Sequence, residues 1–201
     1  MLSIADLRVS HGPRAVLNGI HLKSTSKGLT LLRGENGAGK STLLRCIAGL
    51  HSYSGRITWN GRDLKPSERL VYPVFDTASL YDRLTGRQNI TVLSDGIPRP
   101  EETAATGLVS SHLLKRRVQG YSHGERARLC LTMAFGSGAE LLLLDEPTNG
   151  LDSKARARVK EILGARKVST KLIMVAHDDA DYFRDIVDEE LVLDSGALCP
   201  A

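Results

Sequence analysis

The stretch Gly34-Glu35-Asn36-Gly37-Ala38-Gly39-Lys40-Ser41 constrains the fold of this chain more than any other. It fits the pattern G-x-x-x-x-G-K-S/T and sits between a short apolar run, Leu29-Thr30-Leu31-Leu32, and residues 41–50, where Leu43, Leu44, Ile47 and Leu50 recur at helical spacing. A strand, a glycine-rich turn and a helix in that order aim backbone N–H groups at an anion held at the helix N-terminus. Lys40 adds a positive charge for the outer phosphates, Thr42 joins the loop residues that bind the phosphates, and the Ser41 hydroxyl offers hard oxygen to magnesium.

The second constraint is Leu141-Leu142-Leu143-Leu144, the most apolar run in the chain, which ends in Asp145-Glu146. A strand buried on both faces reads as continuous leucine, and a parallel sheet opens its functional crevice at the strands' carboxyl ends. The acidic pair is therefore expected beside the phosphate loop. There Asp145 would hold magnesium, and Glu146 would act as general base on the attacking water.

Further apolar strands at 70–75, 171–176 and 190–193 alternate with helical patterns at 122–135 and 153–167, which predicts an α/β fold with a mostly parallel core sheet. Alternating patterns at 2–9 and 15–23, and a strand and turn at 54–64 carrying Asn60-Gly61, predict a small antiparallel layer at the N-terminus. Short helices are predicted near 86–93 and 101–108, and a short acidic helix over 178–185.

Composition excludes several classes. Hydrophobic residues make up 41% of 201 residues, enough for a core without disulfides, and three cysteines (Cys46, Cys130 and Cys199) match neither a secreted framework nor a zinc site. No run approaches the ~18–20 apolar residues needed to span a bilayer, and the first residues lack a secretory pattern, so the expected location is cytoplasmic. A net charge of +4, spread along the chain apart from Lys115-Arg116-Arg117, gives no reason to expect nucleic acid, and that cluster reads as solvated surface.

Taken in order, these segments resemble the ABC (ATP-binding cassette) ATPase family. Tyr121-Ser122-His123-Gly124-Glu125 is similar to the L-S-G-G-Q signature, Asn149-Gly150-Leu151-Asp152 after Pro147-Thr148 resembles the D-loop, and Val175-Ala176-His177-Asp178 resembles the segment bearing the switch histidine. The resemblance implies a P-loop NTPase fold, a single ABC ATPase domain over 1–201, and a helical insert at about 77–135. The part of the insert from about Thr77 to Gly120 would form the docking groove for transmembrane coupling helices. It implies ATP as substrate, Mg2+ as cofactor, contact of His177 with the γ-phosphate, and a head-to-tail dimer. In that dimer Ser122, His123, Gly124 and Glu125 contact the ATP of the opposite subunit. Independently, Ser122-x-x-Glu125 ahead of a helical run is a capping box, whose helix start also favours an anion.

Three positions depart from the family pattern. His11 stands where an aromatic residue usually stacks on adenine, so imidazole stacks there or Val16 carries more of the contact. Asp76 takes the place of a glutamine that touches magnesium, with Phe75 or Thr77 there if the alignment shifts by one residue. His123 and Glu125 replace a glycine and a glutamine of the signature, which implies slow hydrolysis or pairing with a different subunit. With Lys40, Asp145, Glu146 and His177 present, an active Mg-dependent ATP hydrolase is expected.

The resemblance implies the energy-supplying subunit of a membrane transporter, of compact exporter type like haem-exporter or drug and peptide exporter ATPases. Its expected partners are transmembrane subunits and a second ATPase subunit, and it would meet the inner face of the membrane only through them. A soluble, non-transport ABC ATPase is the alternative.

Overall fold

A computed structural model describes residues 1–64, 70–75, 80–93, 106–176 and 180–200. The chain opens on an antiparallel hairpin of β1 (Leu2–His11) and β2 (Arg14–Ser24). β3 (Gly28–Arg33) then leads through the glycine-rich turn into α1 (Lys40–Ile47). β4 (Ser54–Trp59) and the short β5 (Arg62–Asp63) flank the Asn60-Gly61 turn, where both residues have positive φ (50° and 80°).

β6 (Val71–Val74) precedes a helical section of α2 (Gly86–Leu93), α3 (Ser111–Lys115), a 3-10 turn (Val118–Gly120) and α4 (His123–Gly136). β7 (Leu141–Asp145), α5 (Ser153–Arg166) and β8 (Lys171–Val175) follow, and a 3-10 turn (Asp181–Phe183), β9 (Glu189–Asp194) and β10 (Ala197–Pro200) complete the order.

Two sheets result. The smaller has the order β2-β1-β4-β5 and is antiparallel, while the larger runs β10-β9-β3-β8-β7-β6 and is parallel except for the β9–β10 hairpin. Pro73 lacks a backbone N–H, and its strand lies at the edge of the large sheet, where one side of the ladder needs no donor.

The leucine run of β7 is buried throughout because its two faces meet different cores. Leu142 and Leu144 join a cluster with Leu129, Phe135, Val159, Leu163, Met174 and Phe183 beneath α4 and α5. Leu141 and Leu143 join Leu43, Leu44 and Ile47 of α1 and Leu2, Leu17, Ile57 and Trp59 of the small sheet. The antiparallel layer is thus fixed to the parallel sheet through α1, and the phosphate loop lies between them.

The structure corrects several expectations. The helix predicted over 41–50 ends at Ile47, since Gly49 turns with φ 69°. The acidic helix predicted over 178–185 is, among its described residues, only the 3-10 turn Asp181–Phe183. Asp185 and Asp188 are drawn instead to Lys160 and Lys167 of α5 at 2.6 and 2.7 Å. Most of the helix predicted at 101–108 lies outside the described residues. Three elements lie outside these expectations: α3, the 3-10 turn Val118–Gly120 and β10.

Candidate functional site

Beyond β3, Gly34 takes φ 147°, and a methyl group on it would sit 2.2 Å from the Leu193 carbonyl oxygen of β9. Only glycine lets the loop pass so close to the neighbouring strand. Gly39 caps α1 at φ 103° with no side-chain cap, so the first-turn N–H groups stay available to a ligand, and no acidic side chain stands in that turn.

Lys40 is 6% exposed. Its Nζ donates to the carbonyl oxygens of Gly34 and Glu35 at 2.7 and 2.8 Å, so the loop's own backbone satisfies the ammonium. Burial pushes its pKa below the ordinary 10.5, and the nearby Glu146 and Asp145 carboxylates pull it back up.

β7 delivers the acidic pair to the same place. Asp145 ends the strand, 8% exposed, and Glu146 follows at φ 52°, a left-handed backbone that costs a non-glycine residue about 1–3 kcal/mol. Local bonds hold it there: Glu146 N–H donates to Val175 O of β8 at 3.0 Å, and its carbonyl accepts from Asn149 N–H at 3.1 Å.

A cavity of about 810 Å³ joins these groups. Asn36, Gly37, Ala38, Gly39, Lys40, Ser41 and Thr42 line it together with Asp145, Glu146, His11 and Val16. Gly34 and Glu35 do not line it and act through their carbonyls on Lys40. Arg14, Ala15, Val175, Ser195 and Gly196 complete the wall. Sequence reasoning missed these five. Arg14 and Ala15 had a signal, as they lie between the chosen His11 and Val16, whereas Ser195 and Gly196 reach the site only through the β9–β10 turn.

The remaining predicted residues separate into two groups. Ser122 caps α4: its Oγ accepts from Glu125 N–H at 3.1 Å, and the Glu125 carboxylate accepts from Ser122 N–H at 2.8 Å, the reciprocal pair of a capping box. The Ser122 N–H, with Arg116 at 3.2 Å, holds the Glu125 carboxyl below its ordinary 4.5. His123 lines a separate pocket of about 190 Å³ with Phe75, Cys130, Glu146 and Asn149. A Cβ on Gly124 would lie 2.6 Å from Gly150 O, so the Ser122-to-Glu125 turn presses on the Asn149-Gly150 turn of its own chain. None of Ser122, His123, Gly124 and Glu125 lines the phosphate-loop cavity. His177 and Asp76 lie outside the described residues.

The donor set fits magnesium brought in with phosphate. No group of three or more His, Cys, Asp or Glu able to hold a metal occurs among the described residues. The Ser41 hydroxyl and the Asp145 carboxylate are hard oxygens on one cavity wall, and Mg2+ commonly takes one or two protein oxygens and completes its shell from phosphate and water.

Comparison with known proteins decides the family, since the description "ABC transporter" matches residues 17–149, which contain the phosphate loop, the capped α4 and the acidic pair. The chain belongs to the ABC transporter family. As an ABC transporter family chain it is 31% identical over 210 residues to the sn-glycerol-3-phosphate import ATP-binding protein UgpC 1 of Rhizobium etli, covering 98% of this chain and 60% of that protein. It is 32% identical over 181 residues to the lantibiotic transport ATP-binding protein SrtF of Streptococcus pyogenes, covering 88% of this chain and 79% of that one.

The fold of this ABC chain superposes with a TM-score of 0.84 on the dimeric post-hydrolysis ATP-binding cassette MJ0796 bound to ADP and Pi, at 19% identity over 98% of this chain and 96% of that one. The ABC chain spans 57–61% of the length of the first curated relatives it matches. No helix among its described residues is long and apolar enough to cross a membrane.

Proposed function

We propose that this chain, as one ABC ATPase domain over 1–201, binds and hydrolyses Mg·ATP to power a membrane transporter. The observation that carries the reading is one cavity in which a complete phosphate loop faces Asp145 and Glu146. The α1 N-terminus and the loop N–H groups receive the phosphates, and Lys40 exchanges its two carbonyl partners for phosphate oxygens. Ser41 and Asp145 would hold magnesium, with Asp76 as a further oxygen ligand, and the ion would supply charge neutralisation at the phosphates. Glu146 takes the proton of the attacking water, and His177 contacts the γ-phosphate.

The face with Ser122, His123, Gly124 and Glu125 lies outside the cavity of its own chain, which supports its use on the ATP of a second subunit. The partners on this reading are that subunit and transmembrane subunits, through which the chain reaches the membrane. For direction we propose export, on the compact exporter type that the motif order resembles; relatives named for import weigh against it.

The test is Mg-dependent phosphate release by the purified protein and by Glu146→Gln, with co-purification of a multi-span partner from membranes. Hydrolysis by wild type, and its loss in Glu146→Gln with ATP binding kept, is the expected result. Hydrolysis by the purified protein with no multi-span partner recovered from membranes favours the soluble ABC ATPase instead, and substrate uptake into cells overturns export alone.

A further inference from the structure

His11 reaches the nucleotide cavity from the β1–β2 turn, an exposed position that does not by itself fix the ring. A second imidazole stands against it. The His11 and His51 ring centroids are 5.4 Å apart with planes at 79°, an edge-to-face contact. His51 follows the Gly49 turn at the end of α1, and its Nδ1 lies 2.8 Å from the Ser52 carbonyl oxygen. A carbonyl oxygen only accepts, so that nitrogen carries the hydrogen and donates, and the bond sets the plane of the His51 ring. The brace therefore hangs from the same helix whose first turn holds Lys40 and Ser41.

An edge-to-face pair occupies at most one face of each ring. The contact with His51 therefore leaves the other face of the exposed His11 ring uncovered by that pair, whichever of the two rings presents its edge. Imidazole buries less area than a phenol ring, so what His11 gives a stacked base depends on how little ordering the base must impose on it. A neighbouring ring that already orients it removes part of that cost.

We propose that His51 is a positioning residue for nucleotide binding: it holds the His11 imidazole edge-to-face so that the open face of His11 receives the base. The inference rests on the proposed function, in which this cavity takes ATP and His11 meets the base, and adds the residue that orients the His11 ring. Every base presents a π-face, so the pair supplies affinity without choosing between adenine and guanine.

The experiment is direct titration of ATP, GTP and inorganic tripolyphosphate into wild type, His11→Ala, His51→Ala, His51→Phe and the His11→Ala/His51→Ala double variant. His51→Ala should weaken ATP and GTP by the same factor, roughly 2- to 10-fold for loss of an aromatic contact, and leave tripolyphosphate unchanged. His51→Phe should restore most of the affinity, because a ring still braces His11. The double variant should bind ATP as His11→Ala does, since His51 acts through His11.

Wild-type ATP affinity in His51→Ala overturns the proposal. So does an equal loss for tripolyphosphate, or losses that add in the double variant. A wild-type protein that binds neither ATP nor tripolyphosphate fails at the parent reading. One that binds both with equal affinity keeps the phosphate site and refutes the base platform alone.

Discussion

Gly34 and Gly37 belong to one loop and both have positive φ, yet they answer to different constraints. A methyl at Gly34 collides with the Leu193 carbonyl, whereas nothing lies within 4 Å of a methyl at Gly37. Gly34→Ala should therefore cost roughly 1–3 kcal/mol through displaced backbone, and Gly37→Ala only about 1 kcal/mol through its left-handed φ. Denaturant unfolding of the two variants reads the difference, and equal losses would refute the close approach to β9. Lys40→Ala belongs to the same scale. With its charge-assisted contacts gone, ATP affinity should fall on the order of 10-fold or more in a direct titration while the fold persists. Unchanged affinity would mean that the ammonium stays on Gly34 and Glu35 when nucleotide binds.

Among the elements, α4 is the one whose start carries both stability and a proposed contact. Ser122→Ala removes the acceptor for Glu125 N–H and should cost about 1 kcal/mol. Glu125 adds a pH dependence. Its folded pKa lies below the ordinary 4.5, so its stabilisation is fully present above pH 4.5 and is lost as pH falls from there through the lowered value. Glu125→Ala should thus destabilise the protein at neutral pH and lose that effect in acid, as paired denaturation curves would show. The box was legible in sequence because Ser-x-x-Glu is a local pattern, and the leucine run of β7 and the phosphate loop were legible for the same reason. α3 was not, since five residues complete no apolar period and only the Ser110 side chain, accepting from Leu113 N–H, marks its start. β10 was not legible either. Its residues form a strand because Ser195 and Gly196, with φ 48° and 78°, fold them back on β9, and that turn is also how an unforeseen pair of residues comes to wall the cavity.

At the scale of the whole molecule, none of Ser122, His123, Gly124 and Glu125 lines the phosphate-loop cavity, and it is the smaller pocket that brings His123 beside Asp145 and Glu146. Glu146→Gln should accumulate an ATP-bound dimer, because removing the proposed base leaves binding and pairing intact. Light scattering with ATP measures this, and a monomer under those conditions would move the pairing to a different subunit. The sheet order reaches further, into the synthesis of the chain. The small antiparallel sheet draws only on residues 2–63, so it can close early on the ribosome. β3, which feeds the phosphate loop, finds its neighbours only in β8 and β9, at Lys171–Val175 and Glu189–Asp194. Its apolar run therefore waits unpaired through most of translation, exposed to chaperones and to other nascent chains. The cavity wall also needs Ser195 and Gly196 beyond β9, so in a series of arrested chains protection from protease by ATP should first appear with those whose residue 196 has emerged.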